Sequence, residues 1–147
     1  MWRSYAYILI VKERTYFGPV TLMERAGGGP YEPCFVVSEF GRIPGKCTEK
    51  ECWFPYGGLE RTSGTWEPIV GCRSCPVHLV PHSSSSTPPE GTVNGKQNDM
   101  SGPIYSAIAD TEWGAIPGKA IGDTCWFSYD GKEMETSNFS WVVKIPG

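Results

Sequence analysis

Two lysines sit in nearly identical surroundings. Lys46 closes the stretch "RIPGK" and Lys119 closes "AIPGK", and a glutamate follows each at the same distance, Glu60 and Glu133. An ammonium near a carboxylate can form an ion pair, move protons, or hold a polar ligand by charge-assisted hydrogen bonds. No turn geometry demands a lysine directly after Pro-Gly, so its recurrence marks Lys46 and Lys119 as candidate functional residues. Glu60 and Glu133 fit cross-strand salt bridges. Acid–base catalysis by Lys46, Tyr56 and Glu60 is a weaker reading. The chain has no nucleophile elbow, no paired-carboxylate signature and no phosphate loop, and both histidines lie away from these residues. The expectation is a protein that is not an enzyme and needs no cofactor.

A second cluster of reactive side chains lies in "CRSCPVHLVPH". Cys72, Cys75, His78 and His82 could form a tetrahedral zinc site. Their spacing is tighter than in a zinc finger and two prolines stiffen the stretch. A surface loop with a disulfide or free thiols is the simpler reading, so zinc stands only as an alternative.

The elements that position these residues come from an internal duplication. "GRIPGKCTEKECWFPYGGLE" from Gly41 aligns without a gap with "GAIPGKAIGDTCWFSYDGKE" from Gly114, at an offset of 73 residues. The division expected is an N-terminal strand in residues 1–17, a first repeat in 18–70, a Ser/Pro-rich connector in 71–90 and a second repeat in 91–147. Residues 82–90 are expected to be mobile. With Gly 18, Pro 13 and aromatics at 13%, the chain favours short strands over helices. Pro44-Gly45 and Pro117-Gly118 read as type II turns. Gly57-Gly58 and Asp130-Gly131 read as type I′ hairpin turns, which would set Tyr56 opposite Leu59 and Tyr129 opposite Lys132. Strand alternation then puts Cys52, Phe54 and Tyr56 on one face and Trp53 and Glu60 on the other. The fold class expected is all-β: two tandem pseudo-symmetric antiparallel repeats packed as one sandwich-like domain.

The net charge of −3 argues against a nucleic-acid partner, and no apolar run is long enough for a membrane span. "MWRSYAYILIVKERTYFG" reads as a strand rather than a leader, because "KER" follows its apolar core. The six cysteines then read most simply as reduced thiols, with Cys52 and Cys125 buried and inert.

"GGGPYEPCFVVSEFGRIPGK…CWFPYGGLE" and "GPIYSAIADTEWGAIPGK…CWFSYDGKE" resemble the DM-nine repeat, a tandem module known mainly from invertebrates. The resemblance covers both halves and implies an all-β fold of two pseudo-symmetric repeats. It implies a lectin-like, mannose-binding protein of pattern recognition and innate defence. Its partners would be glycans, such as those of mannose-containing microbial surfaces, and a second copy in a homodimer. The location implied is cytoplasmic, with release that needs no signal peptide. In such lectins the P-G-K lysine and an aspartate just before the G-P strand hold the sugar. The lysine carries over to Lys46 and Lys119, and the aspartate to Asp99 in "NDMSGPIY". The first-half counterpart of Asp99 is Ala26, with Glu24 nearby but out of register. An arginine usual in the family's first strand is replaced by Phe35 and Ile108.

The chemistry agrees with that implication. A sugar presents adjacent hydroxyls, which a carboxylate can accept from and an ammonium can donate to, and Trp113 or Trp126 could line the apolar face of a ring. The second repeat is therefore expected to carry the better site, with Asp99 and Lys119 facing each other across a shallow, exposed cleft and each holding the other charged. The alternative is a non-catalytic protein-interaction module that has lost sugar binding.

Overall fold

The computed structural model describes residues 15–16, 18–19, 31–71, 74–83 and 87–144. Glu24, Ala26 and Cys72 lie outside the described residues, as does most of the expected N-terminal strand. Every regular element described is a strand, so no helix there is long and apolar enough to cross a membrane. The first half contains β1 (Thr15–Tyr16), β2 (Gly18–Pro19), β3 (Glu32–Ser38), β4 (Gly41–Cys47), β5 (Cys52–Tyr56), β6 (Leu59–Thr62), β7 (Thr65–Pro68) and β8 (Val70–Gly71). There follow β9 (Val77–Pro81), β10 (Asn94–Gln97), β11 (Pro103–Thr111), β12 (Gly114–Ile121), β13 (Thr124–Tyr129), β14 (Lys132–Thr136) and β15 (Phe139–Lys144).

The duplication is visible in the sheet order. Strands β7-β3-β4-β5-β6 lie side by side, and β15-β11-β12-β13-β14 repeat that order. The two sets are antiparallel throughout and joined twice. Leu59 on β6 pairs with Lys132 on β14, and β10 pairs with both β11 and β4. Eight strands thereby close into a barrel-like ring, so the expected sandwich-like packing takes the form of one continuous 13-stranded sheet, with β2 and β8 paired apart from it.

Both hairpins anticipated after "CWF" form. Gly57 and Gly58 have φ of 63° and 84°, and Asp130 and Gly131 have 52° and 80°. These left-handed pairs are what a type I′ turn requires. Tyr56 faces Leu59 and Tyr129 faces Lys132.

The expectation of Pro-Gly turns is overturned. Pro44-Gly45 lies inside β4 and Pro117-Gly118 inside β12. The reversals fall earlier, at residues 39–40 and 112–113, between the pairs Ser38↔Gly41 and Thr111↔Gly114. In β4, Arg42 pairs with β10 and Lys46 with β5. Pro44 sits at the changeover, where its missing donor costs no ladder bond on that edge. Glycine is required next, because a Cβ on Gly45 would lie 2.3 Å from the Trp53 carbonyl oxygen, and one on Gly118 would lie 2.1 Å from that of Trp126. "IPGK" is thus a strand crossing closely over its neighbour, and the lysine after it enters the sheet with its side chain directed inward.

Each half has its own core. Cys34, Val36, Ile43 and Phe54 belong to the first, and Ala107, Ile116, Phe127 and Trp141 to the second. A third cluster joins Phe35 and Ile108 with Val77, Leu79 and Val142. The two residues that replace the family's arginine therefore pack together between the halves, where burying each large apolar side chain contributes about 1.5–3 kcal/mol.

Two further expectations change. Residues 71–90 are not only a connector, because β9 pairs with both β15 and β1 and buries Val77 and Leu79. An apolar alternation within the Pro-rich stretch was enough to add a strand. Nor are all thiols reduced: Cys34 and Cys47 form a disulfide across β3 and β4, with Cα atoms 6.3 Å apart. Their counterparts 73 residues on are Ala107 and Ala120. Cys52 and Cys125 are free, buried thiols, and burial pushes both up in pKa, away from the reactive thiolate.

Candidate functional site

A cleft of about 400 Å³ opens where the halves meet. Its floor is Lys119, delivered by β12 just past the Pro-Gly crossing. Trp126 on β13 stands opposite it in the ladder, and Glu133 comes from β14. Tyr56 and Gly57 reach in from the first-half hairpin, and Gln97 and Asp99 come from the end of β10 and the turn beyond it. The site is therefore composite.

Asp99 and Lys119 do share this cleft, but a third residue joins them. The Lys119 ammonium donates to Gln97 Oε1 at 2.6 Å, and Gln97 Nε2 donates to Asp99 Oδ1 at 2.8 Å. The Tyr56 hydroxyl donates to the other Asp99 oxygen at 2.8 Å. Lys119 also faces Glu133 Oε2 at 3.6 Å and lies 5.4 Å from the centre of the Tyr56 ring. The Asp99 carboxyl is held below its ordinary value, first by the Gln97 hydrogen bond and then by that of Tyr56. Tyr56 is raised correspondingly, because losing its proton would lose the bond to Asp99.

Each charge does favour the other's charged form, but the exposure expected of both holds for Asp99 alone. Lys119 is only 4% exposed. Burial lowers its pKa and outweighs the opposing pull of Glu133. The cleft thus presents a solvated carboxylate at its mouth and a desolvated ammonium at its floor.

Lys46 occupies the equivalent ladder position, opposite Trp53, and is 3% exposed. Its ammonium donates to the Ser128 carbonyl at 2.6 Å and faces Glu60 Oε2 at 3.1 Å. The Tyr31 ring lies 4.8 Å away and the Tyr129 ring 5.6 Å away. Lys46 is thus committed to a backbone carbonyl of the other half. Trp113, another candidate wall, stacks instead on Tyr129 at 4.6 Å.

Gln97 and the cross-half reach of Tyr56 escape a reading of the sequence. Tyr56 carried a signal in the repeat, as Tyr129 is its counterpart. Gln97 carried one only through register: 97 − 73 = 24, so Glu24 stands at its position in the first half.

Among the described residues the zinc candidates do not gather. Cys75 is in a disulfide, which removes the thiolate a metal would need. His82 faces Asp123 at 3.0 Å and stacks on Phe139, and His78 pairs along β9 with Thr15. No group of three or more His, Cys, Asp or Glu side chains suited to a metal occurs among the described residues.

Among solved structures, the nematode sperm cell motility protein MFP2B is similar, with a TM-score of 0.68 and 14% sequence identity. All of the present chain is covered, and it spans 50% of that protein's length, so the likeness is one of fold. No curated protein sequence matches the chain. The DM9 (DM-nine) repeat model matches residues 33–136, which include both lysines, both hairpins and the whole composite cleft, and the chain belongs to the DM9 repeat family.

Proposed function

We propose that this protein is a non-catalytic carbohydrate-binding protein, lectin-like, that takes neutral glycans of the mannose type in the cleft around Lys119. The observation that carries this reading is the line of polar atoms from the Lys119 ammonium through Gln97 to the Asp99 carboxylate, beside the Trp126 ring. A donor and an acceptor that one side-chain amide bridges match a pair of adjacent sugar hydroxyls, and an indole offers an apolar face to a sugar ring. Single shallow sites bind weakly, so a homodimer would gain avidity on a glycan-coated surface. Pattern recognition of microbial surfaces, by a cytoplasmic protein released without a signal peptide, is the setting the family resemblance supports.

The test is titration with mannose and mannan, alongside a glycan array. Saturable binding that is lost in Lys119→Met and weakened in Asp99→Asn is expected. An array without a hit would instead favour the second reading, a protein-interaction module. The fold likeness to a motility protein keeps that reading in view, as does the commitment of Lys46 to Ser128.

A further inference from the structure

We propose that the side-chain amide of Gln97 is an internal stand-in for the ligand, and that sugar binds by displacing it. The inference rests on the carbohydrate reading and names what the site selects. Gln97 presents an acceptor to Lys119 and a donor to Asp99, at 2.6 and 2.8 Å. Those are the two complementary roles that adjacent hydroxyls of a sugar would play at the same two side chains. Amide and sugar cannot both be served at once, because Lys119 is buried and its ammonium is already hydrogen-bonded to Gln97.

The arrangement has a physical reason. A buried ammonium with too few acceptors is costly, and so is a charged group whose hydrogen bonds lapse when a ligand leaves. Gln97 satisfies Lys119 in the free protein without adding charge. A carboxylate there would pair too strongly with Lys119 and would repel Asp99 and Glu133. The cleft already carries those two carboxylates against one ammonium. An entering group must therefore be neutral and must place an acceptor beside a donor. A vicinal diol meets both demands. A sugar carboxylate or phosphate offers acceptors alone and meets Asp99 unfavourably.

Gln97 also leaves easily. It ends β10, the turn beyond it is exposed, and its amide can be resolvated in the open cleft. By the arithmetic of a binding-competent fraction, the apparent affinity is the intrinsic one multiplied by the share of molecules in which the amide is already away.

The test compares the full chain with Gln97→Ala and Gln97→Glu, titrated with methyl mannoside, mannan and, as the anionic probe, glucuronate. Gln97→Ala is expected to bind methyl mannoside about three- to tenfold more tightly, as one competing set of hydrogen bonds disappears. Gln97→Glu is expected to bind more weakly than the parent. The parent is expected to prefer methyl mannoside to glucuronate. Nuclear magnetic resonance supplies an independent reading: the Gln97 side-chain NH₂ should be slowed in solvent exchange and released on adding mannoside. Equal or weaker binding by Gln97→Ala, with the parent binding normally, overturns the proposal alone. An NH₂ that exchanges freely in the ligand-free protein overturns it as well. Binding by neither parent nor Gln97→Ala overturns the carbohydrate reading and this proposal together.

Discussion

Lys46→Met separates a lysine that braces the fold from one that meets a ligand. Methionine keeps the length of the stem and removes the charge. The ammonium lies 3.1 Å from Glu60 Oε2, an attraction of about 5 kcal/mol at an effective dielectric near 20. Desolvation of both groups offsets much of that gain in the parent. In the variant the offset turns into a penalty, because Glu60 Oε2 is buried with no hydrogen bond of its own and the Ser128 carbonyl loses its donor at 2.6 Å. Removing one partner of a buried pair costs about 3–5 kcal/mol. For a chain of this length that lowers the melting temperature by roughly 6–20 °C.

The assay is urea and thermal unfolding of the parent, Lys46→Met, Lys119→Met and the double variant Lys46→Met/Glu60→Gln. Glutamine keeps the acceptor that Glu60 offers to Gly131 and abolishes the stranded charge, so the double variant should recover most of the loss. Lys119→Met should cost less, about 1–3 kcal/mol, because its pair is longer at 3.6 Å and Glu133 can rehydrate through the cleft. Folded Lys46→Met should still bind mannan, and Lys119→Met should not. A loss below about 1 kcal/mol for Lys46→Met, or a double variant no better than the single, refutes the reasoning.

Three further outcomes are expected. Gly118→Ala should destabilise by more than about 3 kcal/mol, since its Cβ would press on a backbone oxygen, whereas Gly102→Ala, with open space around it, should stay within about 0.5 kcal/mol; denaturant midpoints decide, and a parent-like Gly118→Ala counts against the close crossing. Sugar binding should be level from the ordinary aspartate range upward, because Asp99 is held ionised below it, and should fall on the alkaline side before the ordinary lysine value as Lys119 gives up its proton. The unfolded chain holds the Lys119 proton longer than the folded one, so Lys119's own contribution to stability rises with pH across that window while binding declines; a binding profile flat through the ordinary lysine value contradicts this. Tyr56→Phe should raise the Asp99 pKa by removing a donor, and weaken sugar binding without changing which half binds; an Asp99 titration indistinguishable from the parent's by nuclear magnetic resonance would show that the bond is not made in solution.

The parts of the fold legible in the sequence are those set by local chemistry. Gly57-Gly58 and Asp130-Gly131 declare their hairpins because few other pairs tolerate two left-handed residues, and register follows from the turn. The alternation of Cys52, Phe54 and Tyr56 names a buried face for the same local reason. Pro44-Gly45 misleads because the identical dipeptide also suits a strand that changes partners. Only the approach of Trp53's carbonyl, contributed by a different strand, distinguishes the two uses. Pairing of Cys34 with Cys47 depends likewise on the β3–β4 register, which the sequence announces only at the turn. Of the candidate cleft, Lys119 and Asp99 were legible through the repeat and the family resemblance. Gln97 was not, because a neutral amide in a polar stretch shows nothing beyond its register with Glu24 until the end of β10 is folded over the lysine.

The deeper consequence of the duplication is that the halves exchange parts. Glu60 faces Lys46 of its own half, yet its Oε1 accepts from the backbone of Gly131 in the other at 3.1 Å. Glu133 faces Lys119, and its Oε1 accepts from Gly58 at 2.8 Å. Main-chain bonds from Glu60 to Gly131 and from Glu133 to Gly58, both 3.0 Å, lock the two type I′ turns against each other. Each lysine also has the other half's tyrosine near it, Tyr129 by Lys46 and Tyr56 by Lys119. A single half would leave a turn amide, a carboxylate and one wall of its lysine site without partners, which explains why the same sentence must be written twice in one chain. Equivalence of sequence then permits difference of use. Lys46 is engaged by a shorter ion pair within its own half and by the Ser128 carbonyl of the other, whereas Lys119 meets a longer ion pair and a displaceable amide. The same Pro-Gly-Lys crossing thus yields a fixed brace in one half and, on the carbohydrate reading, a donor to ligand in the other.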